Sequence, residues 1–442
     1  MKNRKYVAWL YEQLPGLVSE GVLPTESADA LRRHFGEAAA GRSGRRWLVV
    51  LFSIIGTALI GGGIILLLAH NWEQLSRPVR ATIAFLPLLV AQGLAAWVLW
   101  SRRPSTALRE GVGTFLTLSI GACISLISQT YNLGGDFGDF MLTWTLLALP
   151  VAYLLGATVP ALLYLVGITV WTGTVWDDGW KSLGYWPLLA AAIPFLWLTA
   201  RKNRYHPRPV VFCWVLTLTL PIALGVSLHK VLNASNAWLV VYIALGGVLF
   251  LIGNRWWGGA TAFWQRPFQS LSALGMTGCG IALSFNVVWK ELAHPHGWAP
   301  VIDAVGWEWI TWGVMVAWVI AAVALWADCL WRRDWAVLPM GTMPLVAFAS
   351  YVLVETSEQA AIGAILFNVY LFLLGMGTLM AGVRERRLGV VNGGMVVLAA
   401  LILARFFDAD IGFVARGVAF IVIGVLFLTT NLGLLRWKGA VQ

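Results

Sequence analysis

Side chains able to do chemistry are few in this chain, and they gather in short clusters. The stretch ARFFDADIGFVARG, residues 404–417, sets Arg405 and Arg416 on either side of Asp408 and Asp410. Long apolar runs flank it. Two chemistries fit that spacing. The aspartates could neutralise the arginines as a local clamp, and a partly desolvated pair is worth more than an exposed one. Alternatively, one arginine could turn its fork of donors onto an anionic group such as a lipid phosphate.

Further polar groups sit between other apolar runs. AHNWEQLSRPVR holds His70 and Asn71 with Glu73, Arg77 and Arg80; SQTYNLGGDFGDF holds Gln129 and Asn132 with Tyr131, Asp136 and Asp139. WDDGW supplies Asp177 and Asp178, and ETSEQ supplies Glu355, Glu358 and Gln359. They read either as walls of one outward-facing cavity or as solvated loops whose acids cap helices, with Asp139 and Glu358 each placed to start one. Asn368 lies deeper, about 12 Å into its apolar run at ~1.5 Å rise per residue. Gln92, Asn286 and Asn392 also fall within apolar runs. Such amides read as hydrogen bonds between helices or as part of a polar path. No Asp, Glu or Lys stands clearly in the middle of a run, which argues against an ion-coupled pump. HPHG, residues 294–297, offers two imidazoles, short of the three or four ligands of a zinc site. A Walker lysine motif, an HExxH pair and a GxSxG elbow are absent from the sequence. No catalytic residue, metal or cofactor is assigned on this basis.

The elements that must position these groups are apolar. Of 442 residues 59% are hydrophobic and 12% charged, against roughly 25% charged in an ordinary soluble domain. Apolar runs long enough to cross a ~30 Å hydrocarbon core recur. The fold class is therefore all-α, a polytopic integral membrane protein of about fourteen transmembrane helices. The runs are 47–69, 81–99, 111–129, 139–155, 157–175, 186–199, 209–228, 237–253, 271–289, 307–327, 335–354, 360–382, 388–405 and 413–431. The fourth to sixth carry or adjoin Pro150, Pro160, Pro187 and Pro194 and are the least regular. Residues 1–44 form a polar helical segment ahead of a transmembrane domain over 45–442. Its first helix should stop at Pro15 and its second should start with Thr25 as N-cap, Ala28, Leu31 and Phe35 sharing one face. The run beginning at Trp47 has no short apolar stretch and cleavage site before it and reads as a retained helix.

Charge gives the orientation. With the N-terminus inside and strict alternation, only Arg77, Arg80, Lys181, Lys230, Lys290, Arg405 and Arg416 of the 31 lysines and arginines fall outside, while more than half of the 21 acids do. This is the positive-inside pattern. It makes the net +10 charge an orientation signal, with contact to anionic membrane lipids, rather than a nucleic-acid surface. Many of the 26 tryptophans, among them Trp100, Trp176, Trp180, Trp331 and Trp335, flank the runs as interfacial anchors do. Gly389 and Gly393, in GVVNG, should let helices approach closely. Cys123, Cys213, Cys279 and Cys329 form no CxxC pair and read as buried, inert thiols.

Three stretches carry a resemblance. GTALIGGGIILLLAHNW, SLISQTYNLGGDFGDFMLTWTLLALPVAYLL and NGGMVVLAALILARFFDADIGFVARGVAFIVIGVLFLTTN are similar to the opening, central and closing patterns of a bacterial family of predicted membrane proteins, domain of unknown function 2157. The resemblance implies a bacterial membrane protein, and the charge pattern with an even number of crossings puts it in the inner membrane with both termini cytoplasmic. The resemblance also implies a small membrane-anchored partner with a GDYxxLxY motif. It implies no activity. Three functions stay open: a transporter or lipid-handling protein with an outward-facing polar cavity, a non-catalytic subunit scaffolding an envelope complex, and a membrane-embedded enzyme acting on a lipid-linked substrate.

Overall fold

The computed structural model describes residues 4–35, 74–101, 105–229, 238–260, 262–293, 304–385 and 387–408, with Val414, Val418, Ile421 and Val425. Every regular element among the described residues is helical. By internal contacts the chain divides into residues 1–82 and 83–442.

In the first unit, α1 (Arg4–Ser19) and α2 (Thr25–Phe35) lie against each other and bury Leu14 and Ala28. α1 does not stop at Pro15 but runs through it. A proline removes a single ladder bond, and the flanking turns hold the helix. α2 starts at Thr25 itself, the carbonyl of Pro24 accepting from Ala28 N–H at 3.2 Å. Helix α3 (Arg77–Trp100) carries the chain from this unit into the second.

The second unit continues through α4 (Thr106–Tyr131), α5 (Phe137–Leu155), α6 (Thr158–Thr174), the single turn α7 (Gly179–Ser182), α8 (Tyr185–Ala200) and α9 (Pro207–Ser227). It goes on through α10 (Trp238–Trp257), α11 (Pro267–Leu283), α12 (Asn286–Ala293), α13 (Ala304–Trp331), α14 (Leu338–Gly341), α15 (Met343–Ser357), α16 (Ala360–Arg384) and α17 (Leu388–Asp408). Among the described residues ten helical spans are long and apolar enough to cross a membrane, α7 with α8 and α14 with α15 each counting as one. The expected count of fourteen is not reached among the described residues. α6 has only 17 residues, and α11 with α12 is a pair bent by 89°. Apolar run length alone does not separate a full crossing from a short or bent helix. The runs 47–69 and 413–431 lie outside the described residues. The three least regular runs do form helices, α5, α6 and α8.

Local chemistry sets the boundaries. Ser105 caps α4 by accepting from Leu108 N–H at 3.1 Å. α5 opens on a reciprocal capping box of Asp136 and Asp139 and closes on Gly156 at φ 57°, a conformation glycine adopts without penalty. Prolines inside apolar helices are accommodated by side chains from neighbours. Pro194 interrupts α8, and the Tyr153 hydroxyl enters the ladder beside it, donating to Ala191 O at 2.6 Å and accepting from Phe195 N–H at 3.1 Å. That insertion keeps both ladder groups paired.

Contacts between helix ends define two ends of this unit. At one, Glu110 near the start of α4 bonds the first residues of α6 and pairs with Arg208 at the start of α9. At the same end Arg204 donates to Trp256 O, beside the end of α10, and Arg255 pairs with Asp328 near the end of α13. At the other, Ser182 donates to Ser227 O and Trp176 packs edge-on to His229. Trp100 and Trp331 close their helices 89% and 90% exposed, as interfacial anchoring requires. Apolar side chains such as Leu86, Leu89, Trp97, Ile365 and Leu373 project outward along α3 and α16. A continuous apolar exterior of this kind suits lipid and not water. Gln92 and Asn392 lie on exposed faces.

The glycines that bring helices together are not the expected ones. A Cβ at Gly389 or Gly393 would meet open space. A Cβ at Gly394 would lie 2.5 Å from Leu379 N, and one at Gly382 the same distance from Val391 N. The α16–α17 pair therefore packs backbone on backbone, one residue away from the GxxxG match.

Candidate functional site

The sequence LSFNVVWKEL, residues 283–292, explains where a site forms. Ser284 and Asn286 break the apolar pattern, and both residue types compete with helical hydrogen bonding. Ser284 turns its hydroxyl onto Ile281 O at 2.6 Å, while the Ser284 and Phe285 N–H groups make tight bonds three residues back. The helix ends and α12 leaves at 89°. α12 is amphipathic: Trp289 and Leu292 are buried, while Val287, Lys290 and Glu291 are exposed. Trp289 Nε1 donates to Leu283 O at 2.5 Å, and its ring fills the space over Gly363, where a Cβ would come within 2.5 Å of it.

Two expected residues meet at this break. Asn368 donates through Nδ2 to Ser284 O at 2.9 Å and to Ala364 O of its own helix at 2.7 Å. Arg405 reaches in from α17, its guanidinium 4.7 Å from the Phe285 ring centroid and Nη2 3.4 Å from Ser284 Oγ. A guanidinium over an aromatic face is held by a cation–π attraction. Asn286 Oδ1 is buried and accepts no hydrogen bond among the described residues. Beside the break lies an open cavity of about 630 Å³, walled by Asn286, Val287, Lys290 and Glu291 of α12 and by Glu358, Gln359, Ala360 and Ala361.

The other expected residues separate. Glu358 borders the cavity but does not start a helix: at φ 57° it is the C-cap of α15, its N–H bonding Val354 O. Glu355 is exposed on the last turn of α15. Asn132 is likewise a left-handed C-cap, φ 49°, and Gln129 is exposed one turn earlier. No hydrogen bond or ion pair among the described residues joins these two to the break. Asp139 is the third residue of α5 and Asp136 its cap. Asp178 caps α7. The Lys181 backbone N–H, together with its ammonium, holds the Asp178 carboxyl below the usual carboxylate range, so the cap persists at neutral pH and is lost as pH falls through that lowered value. Asp408 is the last residue of α17, with no side chain described. His70, Asn71, Asp410, Arg416 and the HPHG stretch lie outside the described residues.

Sequence reasoning missed Ser284, Phe285 and Trp289, having read 271–289 as one continuous crossing. The adjacent polar residues in LSFN were the available signal. The cysteines are free, with Cys123, Cys213 and Cys329 buried and Cys279 half-buried.

A comparison with family models adds to this geometry. Residues 15–161 match a family described as a predicted membrane protein, DUF2157. That stretch carries the DUF2157 pattern. It contains two of the three resembling stretches noted in the sequence, and ends in α6. The break, Asn368 and Arg405 lie beyond the DUF2157 match. No curated protein and no solved structure matches the chain.

Proposed function

We propose that this multi-pass membrane protein holds a polar or anionic small molecule, or a lipid headgroup, at the α11–α12 break, as a transporter or lipid-handling protein would. One observation carries the reading: a broken apolar helix whose polar turn is met by Asn368 and Arg405 beside a cavity of about 630 Å³. Interrupted helices are a recurring way to build substrate sites in transporters. Irregular backbone at membrane depth is tolerated where it is buried in protein or lines a cavity. By the charge pattern this cavity faces away from the basic loops, hence outward, with both termini in the cytoplasm.

A second reading has support of its own. Asn368 commits Nδ2 to two carbonyls, which is what a purely structural amide does. That favours a non-catalytic subunit, for which the small anchored protein with a GDYxxLxY motif is a candidate partner.

Native mass spectrometry of the purified protein separates the two. Asn368→Leu should cost about 1 kcal/mol of stability, the scale of a hydrogen bond between membrane helices. Arg405→Gln should keep the fold and lose a small molecule or lipid that the wild type retains. Equal retention by folded Arg405→Gln and wild type would contradict the binding reading.

A further inference from the structure

The end of the second unit opposite the α11–α12 break carries a different kind of cavity. It measures about 360 Å³ and opens between the start of α4, the end of α8 and the start of α9. Arg109, Arg201, Lys202 and Arg208 line it, with Asn203 and His206. Tyr153 and Phe195, edge-on at 5.8 Å, supply an apolar wall. We infer that this pocket binds a phosphate group.

The charge balance supports that inference. Of these cations Arg208 alone is met by a carboxylate among the described residues, that of Glu110, and it is already committed. Its Oε2 accepts from Thr158 N–H at 2.7 Å and Val159 N–H at 3.0 Å, while Oε1 holds Arg208 Nη2 at 2.9 Å. Among the described residues, Arg109, Arg201 and Lys202 have no carboxylate within ion-pair distance. Several cations drawn together around a concave space repel one another, and a bound anion relieves that repulsion. Arg201 is steadied 5.1 Å from the Trp197 ring. Its planar fork suits phosphate oxygens, and Lys202 adds a point charge.

The site is made of side chains rather than of a helix terminus. Pro207 and Pro209 have no N–H to offer, and the Arg208 N–H is taken by His206 Nδ1. That bond leaves His206 Nε2 to carry the ring proton and donate. A phosphate flanked by an apolar wall matches the headgroup of an anionic phospholipid, and a basic pocket between membrane helices is a place such headgroups bind. Free phosphate shares the oxygen chemistry but would leave the wall uncovered.

The test is a melting and titration series on the full-length protein in neutral detergent. The probes are short-chain phosphatidylglycerol, short-chain phosphatidylcholine and inorganic phosphate. The variants are the double substitution R109Q/K202Q and, as a control for charge at the other end, Lys181→Gln. Phosphatidylglycerol should raise the melting temperature of the wild type and of Lys181→Gln alike. R109Q/K202Q should melt like the wild type without ligand and bind phosphatidylglycerol at least ten-fold more weakly. Stabilisation by inorganic phosphate, lost in the same double variant, identifies free phosphate as the ligand. Stabilisation by phosphatidylglycerol alone identifies the lipid. Failure of all three probes to shift the wild type overturns the inference. So does an equal shift in R109Q/K202Q, or a shift by phosphatidylcholine as large as that by phosphatidylglycerol.

Discussion

Gly394→Ala should lower the melting temperature sharply and reduce the amount of protein recovered from membranes, whereas Gly393→Ala should do neither. The two glycines are adjacent in α17, yet their surroundings are opposite. A Cβ on Gly394 would stand 2.5 Å from Leu379 N, 2.7 Å from Gly375 O and 2.9 Å from Leu379 Cα. All three are backbone atoms, so no rotamer change makes room, and α16 and α17 must separate. Membrane helices associate through close packing rather than through burial from water, so the lost contact is not recovered elsewhere. Overpacking costs about 1–3 kcal/mol where side chains can yield, and a backbone clash belongs at or above the upper end. Around Gly393 there is open space. Alanine is the better helix former there by up to about 1 kcal/mol. Melting curves of the two variants in one detergent check this pair. Greater damage from Gly393→Ala would mean that the helices meet on the other face.

Glu110→Ala should destabilise the protein by roughly 3 kcal/mol, the scale of leaving one member of a largely buried ion pair alone. The carboxylate does three things at once. It accepts from the first two N–H groups of α6, whose own cap residue, Ala157, has no side-chain acceptor, and it neutralises Arg208. The Glu110 and Arg208 side chains are 21% and 26% exposed, so solvent screens them only in part. Glu110→Gln should fall between wild type and alanine, because an amide oxygen still accepts. Adding Arg208→Ala to Glu110→Ala should cost less than the sum of the single changes, since the second removes the stranded cation. Strict additivity in that cycle would show that the two residues do not interact.

Much of the architecture can be read from composition and period. Twelve of the apolar runs coincide with helices because a run of apolar residues in lipid has few other ways to satisfy its backbone. What could not be read is which helix pairs come close and where a run bends. Gly394 and Gly393 look alike in sequence; only the rotation of α17 against α16 separates them. The run 271–289 is apolar enough on average to read as one crossing, while the turn at Ser284 depends on hydroxyl and amide competition with the helix and on Trp289 finding its place over Gly363. Asn368 and Arg405 stood out as polar residues in apolar surroundings, and the structure brings both to one turn. Gln129, Asn132 and Glu358 stood out equally, yet two of the three are left-handed helix ends. Glu110 drew no attention, because a glutamate near the start of a helix resembles an ordinary solvated acid until α6 and α9 are packed against it.

Side-specific thiol labelling reads most directly whether the broken helix opens to the face away from the basic loops. Val287→Cys stands in the wall of the α11–α12 cavity and Lys202→Cys in the basic pocket. Each would be tested in sealed membrane vesicles of both orientations with a reagent that does not cross membranes. Val287→Cys should react only from outside and Lys202→Cys only from inside. Reaction of both from the same side, or no reaction at Val287→Cys from either side, would contradict a polar site held open at the outer face.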